Sequence, residues 1–404
     1  MRLFFRSFRV ATFLAYASIV RANFGVVVLT VLILALAGLN LLFVPGLLQG
    51  LVRSSDTKVK ETYAGDLVIE SATENPLISD SASLLNLIRA MPGVDAATPR
   101  NTLGAELSFE NNRTTCVVSG ISPQQEQKVF SISKFMIEGS YLTDNDTGIV
   151  LGVQLAGADR PNLELYSRSL KGAHAGDVIT VAYANGAKRS YKIDGIFQAD
   201  FIQTDLQAFV SEPEFESVSP MVRGTAGSVR VKTVDESSMA SITEKILRTR
   251  PGLRVSPWED YAGIMRSMTD SFNVINAILN VVNVLVAGIT VFIVTYIDVT
   301  NRRRQIGIQR AIGIAPGSIV MTYVIRAVFY SVVAIAIAGL VFLYIIVPVE
   351  TRYPFRFPFG PVYLAFGPHN LARAGVILLG ASLVSSFLPA WMSLRIRIMD
   401  AIWG

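Results

Sequence analysis

The sequence predicts an α-helical membrane protein. Four transmembrane helices are expected, with a large extracytoplasmic α/β (α+β) domain inserted between helices 1 and 2. Three observations predict this. Hydrophobic residues make up 51% of the 404 and charged residues only 17%, whereas a soluble domain is about a quarter charged. Four uncharged runs are long enough to cross a bilayer: Ala22–Val52, Ser271–Ile297, Ala327–Val349 and Ala374–Leu394. Charge is also segregated. Residues 51–270 hold 22 basic and 28 acidic side chains, whereas the remainder holds 14 basic, all arginine, and 3 acidic.

The elements follow in order. Residues 1–21 place Phe4, Phe5, Phe8, Phe13 and Leu14 among arginines. That pattern fits a cytosolic amphipathic helix lying along the inner membrane face, or an extension of the first span. The first span, 22–52, is too long for a signal-peptide core, and no A-x-A cleavage signal follows it, so a retained anchor is expected. The polar block 53–270 is the extracytoplasmic domain. Within it, "DLVIE" and "SVRVKTV" alternate as strands do, and "VITVAYANGAKRSYKIDGIF" reads as a hairpin turning at Asn185-Gly186. IRAMPGV at 88–94 and LRTRPGL at 247–253 form an internal repeat. Each follows a strand and a short helical pattern and leads into an extended piece, giving two β-α-β halves with an inserted subdomain over about 101–220. The last block, 271–404, supplies helix 2 (271–299), helix 3 (319–349) and helix 4 (372–394), with a cytosolic loop at 300–317.

Arginines set the orientation. Arg2, Arg6, Arg9 and Arg21 precede the first span, Arg302, Arg303, Arg304 and Arg310 lie between the second and third, and Arg395 and Arg397 follow the fourth. The positive-inside rule then places both termini in the cytosol of a cell (inner or plasma) membrane, and 53–270 outside. Arg352 and Arg356 in the outer loop are a minor violation.

Catalytic chemistry has no sequence signature here. G-x-x-x-x-G-K-[ST], H-E-x-x-H, C-x-x-C and G-x-S-x-G do not occur, the cysteine is single, and His174 and His369 are the only histidines. An enzyme is not expected, nor a bound cofactor or metal, nor nucleic-acid binding. A polar stripe does stand out. Asn273, Asn276, Asn280 and Asn283 share one face of the second span, and Ala287 and Thr290 continue it. Small and polar residues along one seam suit close helix contacts in membranes. A seam between the second spans of a dimer is preferred to packing within one subunit or a polar outer cavity for cargo.

The loop NRRRQIGIQRAIGIAPGSIV at 301–320 resembles the signature of the MacB/LolC-LolE/FtsX superfamily of ABC-transporter permeases. Arg302, Ile306, Gly307, Ile308, Arg310, Ala311, Ile312, Gly313 and Ile319 match, while Gln305 replaces an acidic residue and Gln309 a leucine. The ending is similar too, at Leu388, Pro389, Ala390, Arg395, Asp400, Ala401 and Ile402, with Ile398 where the family has proline. "PGVDAATPR", "GIVLGVQLA", "GDVITV" and "IDGIFQAD" resemble phrases of the family's periplasmic core domains.

The resemblance implies a permease that couples ATP hydrolysis on a separate ATPase, present in two copies with its ATP and Mg, to movement of the extracytoplasmic domain. The ATPase-coupling residues would be Arg302, Arg303, Arg304, Gln305, Ile306, Gly307, Ile308, Arg310, Ala311, Ile312 and Gly313. Ile308 and Ile312 form an i, i+4 apolar pair. A second permease copy is implied, a homodimer being simpler than a heterodimer. Membrane lipid and an extracytoplasmic adaptor or substrate-accepting protein are further partners. The substrate class spans lipoproteins, lipids, peptides and hydrophobic drugs. The alternative is an FtsX-like non-transporting scaffold or sensor that regulates an extracytoplasmic partner such as a cell-wall hydrolase.

Overall fold

The computed structural model describes residues 2–20, 24–157, 168–262, 264–357 and 360–393. Arg21, Arg395, Arg397, Ile398, Asp400, Ala401 and Ile402 lie outside them, as do the side chains of Phe4, Phe5, Phe8, Arg266 and Thr269. The chain divides into two units, one of Met1–Val52, Thr269–Phe355 and Val362–Gly404, the other of Arg53–Met268 and Arg356–Pro361.

In chain order the principal helices are α1 (Arg2–Val20), α2 (Phe24–Lys58), α3 (Ser81–Arg89), α4 (Ser238–Thr249), α5 (Ile264–Asn301), α6 (Arg303–Ala311), α7 (Pro316–Val341) and α8 (Pro368–Ser393). The strands of the main sheet are β1 (Leu67–Ser71), β2 (Val94–Phe109), β3 (Asn112–Ile121), β4 (Met136–Gly139), β5 (Ile149–Gly152), β6 (Val178–Tyr183), β7 (Lys188–Phe197), β8 (Gln207–Ser211), β9 (Ser228–Thr233) and β10 (Leu253–Pro257).

The first unit is a helical bundle. Four helical paths are long and apolar enough to cross a membrane: Phe24–Ala64, Asp270–Asn301, Pro316–Arg352 and Pro368–Met392. Leu34, Leu41, Leu42, Ala287, Val291, Ala334, Phe342 and Leu378 form its core. The residues turned outward are also apolar, as lipid demands: Leu29, Leu32 and Leu36 on α2, Ile278, Leu285 and Ile289 on α5. Inside, polar side chains find each other, as where the Ser331 hydroxyl of α7 donates to Ser382 Oγ of α8 at 2.6 Å. The third path stays helical past Val341 through a π-turn at Phe342–Ile346. Pro348 lies just beyond it and lacks an N–H for the carbonyl of Tyr344, so the wider turn absorbs the missing bond. Helix α1 packs along α7, with Ala11 and Ala15 buried and Phe13 and Tyr16 exposed. Gly50 of α2 allows a backbone contact, since a Cβ there would stand 2.0 Å from the Tyr363 carbonyl oxygen.

The second unit is built on one sheet, ordered β10-β1-β9-β2-β3-β8-β5-β7-β4, with β6 pairing both β2 and β7. The β-α-β pieces β1-α3-β2 and β9-α4-β10 interleave, giving the local order β10-β1-β9-β2 with all three pairings antiparallel. This is the split β-α-β arrangement. Leu84, Leu85 and Ile88 of α3 and Ile242 and Ile246 of α4 pack on Leu67, Ile69, Val229 and Val231 of the sheet. Residues between the two pieces supply β3 to β8. There β6 and β7 form the hairpin that turns at Asn185-Gly186, with Gly186 at φ 86°. Their core includes Leu107, Val118, Leu151, Val181 and Ile193. The opposite face of β1 is covered by a π-turn, Val59–Ala64, together with Phe201 and Trp258. A buried ion pair, Arg100 with Glu126, joins β2 to the helical turn Pro123–Val129, and its guanidinium stacks 4.2 Å from the Phe130 ring.

Candidate functional site

The arginine-rich loop folds into α6, a short helix with two different faces. Helix α5 stops at Asn301, Arg302 takes φ −103°, and α6 begins at Arg303. The Arg302 amide still donates to the Asp298 carbonyl at 3.1 Å, so the step between the helices is tight. At the other end Gly313 takes φ 91°. Its amide donates to Arg310 O at 3.1 Å, and the Ile314 amide donates to Gln309 O at 3.0 Å. These two bonds form a Schellman stop, whose left-handed residue favours glycine. Pro316 then opens α7 at its first turn, where its missing N–H costs nothing.

Ile306 and Gly307 point inward, and Ile306 packs with Val299, Ile319, Val320, Tyr323 and Ala390. Ile308 and Ile312 point outward, with 48% and 73% of their surface open. Arg304, one turn before Ile308, is exposed, as are Gln305 and Ala311. An apolar pair edged by a guanidinium is thus presented on a helix whose other face is anchored in the bundle. That surface suits a groove with an apolar floor and an acidic rim.

Behind α6 lies an ionic cluster. Asp298 of α5 accepts from Arg302 Nε at 3.1 Å and from Arg326 Nη1 of α7. Arg326 Nη2 donates to the Tyr330 hydroxyl at 3.1 Å, and the arginine side chain is 8% exposed. The cluster ties the end of α5 to α7 directly beside α6.

Beyond Asn273 the asparagine stripe is half-buried along α5, and one of its members reaches another helix of the same chain. Asn283 Nδ2 donates to Asn40 Oδ1 of α2 at 3.2 Å. Asn280 Nδ2 donates to Asn276 Oδ1 at 3.2 Å within α5. Ala287 is buried, the Thr290 hydroxyl returns to Val286 O at 2.8 Å, and Asn273 is exposed.

Known families share both parts of this organisation. The model of the MacB-like periplasmic core domain matches residues 27–249, more than half of the chain, and that of the FtsX-like permease C-terminal domain matches 277–398. The chain belongs to the MacB/FtsX superfamily of ABC-transporter permeases. It is 22% identical over 330 residues to the macrolide export ATP-binding/permease protein MacB of Shewanella sp. (strain W3-18-1), covering 78% of this chain and 47% of that protein. It is also 22% identical over 324 residues to MacB of Neisseria meningitidis serogroup B, covering 76% and 47%. The chain thus spans about half the length of the curated relatives it matches. Among solved structures, the periplasmic region of MacB from Actinobacillus actinomycetemcomitans aligns at TM-score 0.33 and 13% identity, over 50% of this chain and 92% of that one. The extracellular domain of YknZ from Gram-positive bacteria aligns at TM-score 0.33 and 11% identity, over 47% and 98%.

In this superfamily member, Arg302 to Gly313 all fall on α6 or its two ends. Two participants escaped the sequence reading. Arg326 and Asn40 each interrupt an otherwise apolar helix, and isolation of that kind was the available signal.

Proposed function

We propose that this chain is the permease part of an ABC transporter in which α6 docks into a groove of an ATPase. The 404 residues contain no P-loop, so ATP and its Mg bind outside them. In this reading ATP-driven closure of two ATPase copies moves two permease copies, and the extracytoplasmic unit handles the substrate. Both termini and α6 lie on the cytosolic side, where the arginines concentrate. The curated relatives are macrolide exporters by name, which favours a hydrophobic small molecule, lipid or lipoprotein as substrate.

The carrying observation is the exposed pair Ile308 and Ile312 on an anchored helix. Burial of such side chains against a partner contributes about 1.5–3 kcal/mol each. The anchored face explains how a push is passed on, because Ile306 shares one buried apolar cluster with residues of α5, α7 and α8. The test is affinity purification of the protein from native membranes with Ile308→Asp/Ile312→Asp alongside. The wild type is expected to bring down an ABC ATPase and its nucleotide-hydrolysing activity, and the variant to lose both while staying membrane-inserted. Equal recovery from both would overturn the reading.

A further inference from the structure

The ionic cluster behind α6 is out of balance. Two guanidiniums, Arg302 and Arg326, face one carboxylate, Asp298. The other described acidic residues of this unit are Asp270 and Glu350. Asp270 is exposed, and Glu350 accepts from the Leu364 amide at 3.0 Å. Neither forms an ion pair with these arginines. The cluster therefore carries one surplus positive charge, in surroundings where an uncompensated charge is costly.

The surplus has an address. Arg326 spends Nη1 on Asp298 and Nη2 on Tyr330, while its Nε is buried and has no acceptor among the described residues. The same side chain lines a cleft between α2, α5 and α7, with Thr30, Val294, Thr295, Tyr323 and Tyr330. Tyr330, which accepts from Arg326, keeps its own hydroxyl proton for a ligand. Thr30 spends its hydroxyl proton on the Val26 carbonyl at 2.7 Å, so the cleft offers an unspent guanidinium N–H, a phenol and the Thr295 hydroxyl around one net positive charge. A monoanion with several acceptor oxygens answers all of these features.

We propose that this cleft binds the phosphodiester of an anionic phospholipid. Three features select a lipid over a free anion. The uncharged run of α5 ends at Ile297, so Asp298 stands where hydrocarbon gives way to headgroups. The far wall of the cleft is apolar, formed by Leu34 and Val291. Leu29 and Leu32, on the same stretch of α2 as Thr30, are exposed apolar surface along which an acyl chain can lie. Basic pockets between membrane helices at this depth are a recurrent headgroup site. The site lies beside α6, so its lipid would stiffen the α5–α7 contact next to the docking helix.

The test uses the full chain reconstituted in nanodiscs of equal phosphatidylglycerol and phosphatidylcholine, then exchanged into detergent. Phospholipid retained per chain is counted by mass spectrometry. The wild type is expected to keep phosphatidylglycerol in preference to phosphatidylcholine. Retention should fall about tenfold in Arg326→Gln, the loss of one charge-assisted contact set. Val294→Trp crowds the cleft without altering any charge and should fall likewise. It decides the matter if Arg326→Gln does not fold. Excess inorganic phosphate should leave the lipid in place. Equal retention by the wild type and Val294→Trp, or no preference between the two lipids, would overturn the proposal. Displacement by inorganic phosphate would overturn the lipid assignment.

Discussion

Truncating the outward face of α6 should weaken ATPase binding far more than it weakens the fold. Ile→Ala removes three carbons, each worth about 0.8 kcal/mol when fully buried. Ile312 is 73% exposed and Ile308 48% exposed before docking, and only that open fraction can be newly buried. Scaling by those fractions gives a loss of about 1.8 kcal/mol for Ile312→Ala and about 1.2 kcal/mol for Ile308→Ala. The double variant then loses about 3 kcal/mol, more than a hundredfold in affinity. Its melting temperature should fall far less than that of a core truncation, because Ile312 is mostly open and Ile308 only about half covered. Ile306→Ala is the internal contrast. It empties a buried position and costs about 2–5 kcal/mol of stability, so its melting temperature drops. The assay is a binding titration of the purified ATPase against the reconstituted protein, with a thermal melt of each variant. If the double variant binds within twofold of the wild type, the docking argument is refuted. If it melts as low as Ile306→Ala, the outward assignment of the pair is refuted.

Four further outcomes follow from the same geometry. Gly313→Val should cost about 1–3 kcal/mol of stability through strain and so lower the melting temperature, since φ 91° disfavours a Cβ even though the site is sterically open. Asp298→Asn leaves two arginines without a counter-charge and should cost about 3–5 kcal/mol, and adding Arg326→Met should recover part of the lost melting temperature. Asn40→Cys with Asn283→Cys should yield a cross-link within one chain, seen as unchanged subunit mass on a non-reducing gel. Burial pushes the Asp205 carboxyl up to about 7, although the Ala199 amide donates to it at 2.7 Å. The folded state therefore holds a proton there that the unfolded chain releases above its ordinary value near 4. Stability from this group is full below that value and is lost as pH rises towards 7, so the chain should melt higher at pH 5 than at pH 8, and Asp205→Asn should flatten that difference.

Much of this was legible in the sequence because the deciding signals were local. The four spans follow from hydropathy, and the hairpin from Asn185-Gly186 between alternating strands. The apolar pair on α6 was visible in the i, i+4 spacing of Ile308 and Ile312, whereas the inward turn of Ile306 and Gly307 in the same run was not. What could not be read was pairing between distant segments. Nothing local tells β9 to insert between β1 and β2, because strand order is set by long-range burial. Asn40 lies 243 positions from Asn283, so the stripe showed that a partner helix was needed without showing which. Arg326 stands alone at the edge of an apolar run, and nothing local shows that its guanidinium turns inward to Asp298, 28 positions earlier.

A photo-crosslinker placed at position 312 in native membranes tests the central claim most directly. The captured protein is identified by mass spectrometry, with and without non-hydrolysable ATP. Docking of α6 predicts an ABC ATPase as the main adduct, with a yield that changes when nucleotide binds. Capture of only lipid, or of proteins without an ATPase fold, would contradict it.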